Sequence, residues 1–169
     1  VTLTGSDVAG RVVAQQAAKV LKKTVMELGS NDAFIVLEDA DLALAAATCA
    51  HARLYNNGET CIAAKRFVVV DSVYDKFRDL VIEKFNSYKV GDPMEKSTDV
   101  GPMSSSKQRD TLHKQVQESV DKGATITIGG EVPDKPGAFY PPTILENIKP
   151  DQPAYKDELF GPVAALIRA

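Results

Sequence analysis

Two periods of apolar residues alternate along the chain. A strand-like opening, VTLT at residues 1–4, gives way to GSDVAGRVVAQQAAKVLKK, where Val12, Val13, Ala17, Val20 and Leu21 recur at helical spacing behind Ser6 or Asp7 as a cap. Short β-type runs follow in TVMEL and AFIVL, starting at Thr24 and Ala33. Asp39 or Asp41 can cap the next helix, ADLALAAATCAHARLYNN, and Gly58 suits the left-handed turn that ends it. RFVVVD reads as a buried strand by its β-branched content. The stretch SVYDKFRDLVIEKFNSYKV then sets Val73, Phe77, Leu80, Val81 and Phe85 on one helical side until VGDP breaks it.

A polar loop leads to a further helix at residues 105–122, followed by ATITIGG as a strand. PDKPGAFYPPTILENI is a proline-rich connection holding a short strand, KPDQPAYKDELFGP is a loop, and PVAALIRA closes as a strand. Helices alternating with apolar strands predict an α/β fold, a mainly parallel sheet flanked by helices. VTLT starts as a strand without lead-in and PVAALIRA stops inside one, so the expectation is a piece of a longer protein.

Composition narrows the partners. The 169 residues, 44% hydrophobic and 25% charged, suffice for one globular unit with a core and are too few for two large ones. A net charge of -3 and a pI near 5.4, with the 20 Lys and Arg spread along the chain, disfavour nucleic acid and acidic membranes. No apolar run reaches the roughly 20 residues of a membrane span, and no signal peptide is expected. Cys49 and Cys61 fit neither a disulfide framework nor a zinc motif, which predicts a reducing, cytoplasmic setting.

The candidate chemistry centres on NNGETCIAAKR, residues 56–66. Cys49 sits inside the alanine-rich helix and is expected to be core. Cys61 follows a helix-ending glycine in a loop where backbone N–H groups can face a reacting carbonyl, with Lys65 and Arg66 close in sequence. Local features leave it evenly balanced between nucleophile and structural residue. Glu59, two positions earlier, would disfavour a thiolate if it stood close, so it is expected to point to solvent or to a backbone donor. Glu27 lies between Met26 and Leu28 at a strand end, where burial would make it a stronger base; the competing reading is an exposed strand-end glutamate. His51 and His113 lie in different helices without a neighbouring ligand set, and no metal is expected. GSDVAG places Gly5 and Gly10 at a strand-to-helix turn of the kind that leaves helix amides open to a phosphate, a weak signal without a full nucleotide fingerprint.

Taken together, LTGSDVAG, MELGSNDAFIVLEDADL, NNGETCIAAKRF and DELFGPV resemble, in this order and spacing, the C-terminal half of the NAD(P)-dependent aldehyde dehydrogenases. Cys61 stands 34 positions after Glu27 (61 − 27), as in that family. The resemblance implies a Cys61 nucleophile that forms a thiohemiacetal and then a thioester, with Glu27 as the base that activates water. It implies cofactor contacts at Gly5, Ser6 and Leu28, at Glu158 toward the nicotinamide ribose, and at Phe160 toward the nicotinamide. Residues 1–26 would end the cofactor-binding domain and residues 27–169 would form the catalytic domain, incomplete at its C-terminus.

The backbone N–H of Cys61 would be one oxyanion donor, and the other, an Asn side chain, would lie upstream of Val1. The isolated chain is therefore expected to be inactive. Ser30 stands where the family has a second glycine and is expected to narrow backbone freedom near Glu27, and Glu59 stands where Gln is common. The likeness is greatest to the succinate-semialdehyde dehydrogenase branch, with NAD or NADP as cofactor, a small aldehyde as substrate and a homo-oligomer for the full-length protein. Lactaldehyde, glycolaldehyde or broad aliphatic aldehyde specificity, a CoA-acylating relative, and a non-catalytic binding domain are the alternatives.

Overall fold

Strand β1 (Thr2–Thr4) pairs in parallel with β2 (Val25–Glu27), with Thr4 opposite Glu27. Between them runs α1 (Asp7–Ala18), whose N-cap Ser6 accepts a hydrogen bond from the backbone N–H of Ala9. The helix stops at Ala18, short of the predicted Val20 and Leu21. Lys22 N–H bonds back to Ala17 O and Leu21 N–H to Ala18 O, with Leu21 left-handed at φ 53° and 94% exposed. A leucine thus fills the place that glycine usually takes in this helix ending. A computed structural model describes all residues, 1–169, and these elements make up the first of two compact units, Val1–Ser30 and Asn31–Ala169. The single unit expected from length is thereby corrected, because chain length does not report where the network of contacts breaks.

The second unit is built on a five-stranded sheet in the order β3–β4–β7–β6–β5, comprising β3 (Ala33–Val36), β4 (Arg66–Val69), β5 (Thr125–Ile128), β6 (Thr143–Glu146) and β7 (Val163–Arg168). All neighbours are parallel except β5 and β6, which bears out a mainly parallel α/β sheet. The helices are α2 (Leu42–Leu54), capped by Asp41, α3 (Asp71–Ser87), α4 (Ser106–Asp121), capped by Ser105, and the short α5 (Pro153–Lys156). No helix is long and apolar enough to cross a membrane.

Strand alternation explains why both faces are covered. Along β7, Ala164 and Leu166 enter one apolar cluster with Cys49, Leu54, Phe77 and Val81 of α2 and α3. Val163 and Ala165 enter the other, with Leu112 and Val116 of α4 and Ala154 of α5. β6 divides in the same way, Ile144 to the first cluster and Leu145 to the second. The predicted loop before β7 contains α5, seated by the Ala154 N–H on the Ser119 hydroxyl at 3.0 Å. Four residues are too few for a periodic signal, and proline at its first position starts the turn.

Candidate functional site

Because β4 and β7 are adjacent and parallel, with Arg66 opposite Ala165, the loops that precede them lie at the same end of the sheet. The first carries Cys61. α2 ends at Leu54, four residues before the predicted Gly58, and the chain continues through a 3-10 turn, Tyr55–Gly58, in which Asn56 and Asn57 are left-handed at φ 50° and 57°. Asparagine tolerates that region better than most residues. Gly58 follows at φ 73°, and a Cβ there would run into the backbone carbonyl of Gly161 and the Arg53 guanidinium. The Gly58 and Gly161 backbones therefore approach at a distance that only glycine permits at position 58. Thr60 to Ala63 then form a turn closed by Ala63 N–H to Thr60 O, and Cys61 is exposed on it.

Three sets of polar contacts hold this loop. Asn57 bridges to the loop before α4, accepting from Gly101 N–H at 2.8 Å and donating to Pro102 O at 2.9 Å. Glu59 accepts from the Ser104 N–H at 2.9 Å and from the Ser104 hydroxyl at 2.5 Å. Its carboxylate thus meets a backbone donor, as expected, and a hydroxyl beside it. From the inside, Lys65, 0% exposed, directs its ammonium to Cys61 O at 2.5 Å, Thr60 O at 3.4 Å and Ala63 O at 3.5 Å, and forms an ion pair with Glu158 Oε1 at 3.3 Å. Arg53, equally buried, donates to Gly58 O at 2.5 Å.

Burial sets the electrostatics of these cations. It pulls Arg53 down to about 10, partly offset by Glu158, and it lowers Lys65 against the opposing pull of Glu158. Cys49, packed into the core from α2, is pushed up to about 11 by burial. The same burial excludes it from surface chemistry.

The loop before β7 is fixed through its main chain. Gln115 of α4 donates to Glu158 O at 3.2 Å and Gln108 to Phe160 O at 3.3 Å. The Glu158 side chain remains 26% exposed, and Phe160 is half-buried. The structure therefore brings Cys61, Glu158 and Phe160 into one assembly of loops. Lys65 and Arg66 were expected near the thiol by sequence distance. Lys65 engages backbone carbonyls and Glu158, whereas Arg66 donates to Asn31 O at 3.0 Å and lies over the Tyr155 ring.

The first unit gathers the remaining candidates. Gly5 N–H donates to the Glu27 carbonyl at 3.0 Å, so parallel pairing sets the Gly5–Ser6 turn beside the end of β2. Leu28 packs where a Cβ on Gly10 would meet its Cδ2 at 2.7 Å. The Glu27 side chain is exposed, as in the strand-end reading set against burial: β2 is the second strand of a two-stranded pair. Ser30 is not among the residues with positive φ, so serine at 30 brings no left-handed strain.

The residues that sequence reasoning passed over are Arg53, Asn57 and Ser104. Arg53 alone left a trace, as a lone cation in an alanine-rich helix that turns out to be fully buried.

The Aldehyde dehydrogenase family model matches residues 1–169. A succinate-semialdehyde dehydrogenase [NADP(+)] of Mycobacterium avium is 49% identical over 168 residues, covering 99% of this chain and 36% of the relative. One from Deinococcus radiodurans is also 49% identical, over 99% of this chain and 35% of its own length. The crystal structure of succinic semialdehyde dehydrogenase from Streptococcus pyogenes, in complex with NADP+ as the cofactor, superposes with a TM-score of 0.96 at 42% identity, covering 99% of this chain and 37% of that one. The chain thus spans about a third of the length of the relatives it matches.

Proposed function

Because this chain belongs to the aldehyde dehydrogenase family, we propose that the full-length protein oxidises an aldehyde, first of all succinic semialdehyde, to its carboxylic acid with NADP or NAD as the oxidant. The names of the relatives support that substrate and favour NADP. The observation that carries the reading is an exposed cysteine whose own carbonyl is joined to Glu158 through one buried ammonium.

Each unit carries residues suited to part of a dinucleotide. Gly5 and Ser6 stand at the N-terminus of the twelve-residue α1, where helix amides favour a phosphate. Leu28 lines the same turn, Glu158 offers a carboxylate to a ribose hydroxyl, and Phe160 offers a flat apolar face. In this reading residues 1–26 end the cofactor-binding domain and 27–169 belong to the catalytic domain.

Cys61, as the thiolate, adds to the aldehyde carbon, and the carbonyl oxygen takes the negative charge. Its backbone N–H, held in the Thr60–Ala63 turn, stabilises that oxygen. Glu158 and Phe160 would hold a nicotinamide nucleotide, which would supply the acceptor for the hydride lost from the Cys61 thiohemiacetal. The Cys61 thioester is then attacked by water, from which Glu27 takes a proton, and collapse releases the acid and restores the thiolate. For the full-length protein, the reading takes in a small-molecule aldehyde as substrate, a homo-oligomer and a cytoplasmic setting.

The test is a panel of aldehydes, succinic semialdehyde included, offered to the full-length protein with NAD or NADP. Turnover should be greatest with succinic semialdehyde and NADP and vanish in Cys61→Ala. Activity retained in that variant would refute the nucleophile, and acyl-CoA formed on addition of CoA would replace hydrolysis with acyl transfer.

A further inference from the structure

Lys65 is fully buried, yet its ammonium faces the loop that bears the reactive cysteine. Its ammonium stands 2.5 Å from the carbonyl of Cys61 and forms an ion pair with Glu158 at 3.3 Å. Glu158 differs from Lys65 in exposure. Its backbone is pinned by Gln115 from α4, but its carboxylate remains 26% exposed and can be reached from outside. Arg53 adds a second buried cation nearby, bound to the Gly58 carbonyl at 2.5 Å and coupled electrostatically to the same carboxylate. The Glu158 carboxylate thus acts on two buried cations, with Asp32 also drawing on Lys65, and both cations grip carbonyls of the cysteine loop.

We infer that Lys65 is a positioning residue that couples Glu158 to Cys61, so that a nucleotide ribose engaging Glu158 changes how tightly the Cys61 loop is held and how fast its thiol reacts. The physical basis is a shared donor. An ammonium has three N–H bonds, and here it serves three carbonyls and a carboxylate. When a ribose hydroxyl claims part of the carboxylate, the ammonium redistributes toward the carbonyls, that of Cys61 foremost. Buried charges interact strongly enough to carry such a change over one side chain. The coupling rests on the proposed function only in that the ligand at Glu158 is a nicotinamide nucleotide.

The experiment measures iodoacetamide alkylation of Cys61 in the full-length protein, with and without saturating NADP+, cofactor occupancy being followed by protein fluorescence. Native protein should show a change of about fivefold or more, the lower end of ordinary coupling between sites. Lys65→Met and Lys65→Gln should still bind cofactor, with the ratio of the two rates collapsing toward one. A lysine that merely supports the fold would shift both rates together and leave that ratio intact. A preserved ratio in either variant, or a native ratio of one, overturns the inference. Should both Lys65 variants fail to fold, the ratio is read on Glu158→Gln, which removes the other half of the pair at a partly open side chain. Failure here with Cys61-dependent aldehyde oxidation intact rejects the coupling alone, whereas activity retained in Cys61→Ala rejects the nucleophile itself.

Discussion

Cys49 and Cys61 carry the same thiol into opposite environments. Cys49 is buried among alanine, phenylalanine and valine side chains, and Cys61 is exposed on a turn. Iodoacetamide should label Cys61 in the native chain and spare Cys49 until denaturant is added, as peptide mass spectrometry would show; equal rates would count against an accessible Cys61. Cys49 also makes stability depend on pH. Its folded value of about 11 lies above its ordinary 9.0, so an unfolded chain loses that proton first. The contribution is complete below pH 9 and is lost as the pH rises through 11. Cys49→Ala should therefore flatten the decline of urea midpoints across that window. Glu59 is the third residue with a distinct role, joining the cysteine loop to Ser104. Glu59→Ala should cost about 1 kcal/mol in urea unfolding, and Glu59→Gln, which keeps an acceptor, much less.

Among the elements, the strands and the long helices follow from periodicity, and the joints between them do not. Asp41 and Ser105 cap their helices as local chemistry dictates. The end of α2 is different, since two left-handed asparagines and Gly58 turn the chain there. Gly58 was legible as a turn residue. Its contact with Gly161, 103 positions later (161 − 58), was not, because nothing in either motif names the other. Gly58→Ala combines a positive φ with a collision against the Gly161 backbone, and it should destabilise the second unit by about 2 kcal/mol. Denaturant midpoints check this, and an unchanged midpoint would show that the Cys61 and Glu158 loops can separate at little cost.

For the whole molecule, the relevant comparison is the span of the chain, about a third of its relatives' length. The proposed mechanism calls for a second oxyanion donor besides the Cys61 N–H, and about two thirds of the relatives' length lies outside this span. The isolated 169-residue chain should therefore produce no measurable NADPH from succinic semialdehyde under conditions where the full-length protein does. Steady production by the chain alone would show that residues 1–169 contain every required group.

The sequence by itself determined the α/β class, the order of the strands and long helices, and the candidates Cys61 and Glu27, whereas Glu158 came only from the family resemblance. Periodicity, caps and motif spacing are local, and they survive in a one-dimensional string. Only the tertiary structure decided that Lys65 is buried between the Cys61 carbonyl and Glu158, that Glu59 is held by Ser104, and that Glu27 is exposed. These depend on which strands lie side by side. The pairing of β4 with β7 brings together loops almost a hundred residues apart, and no local pattern encodes that neighbour.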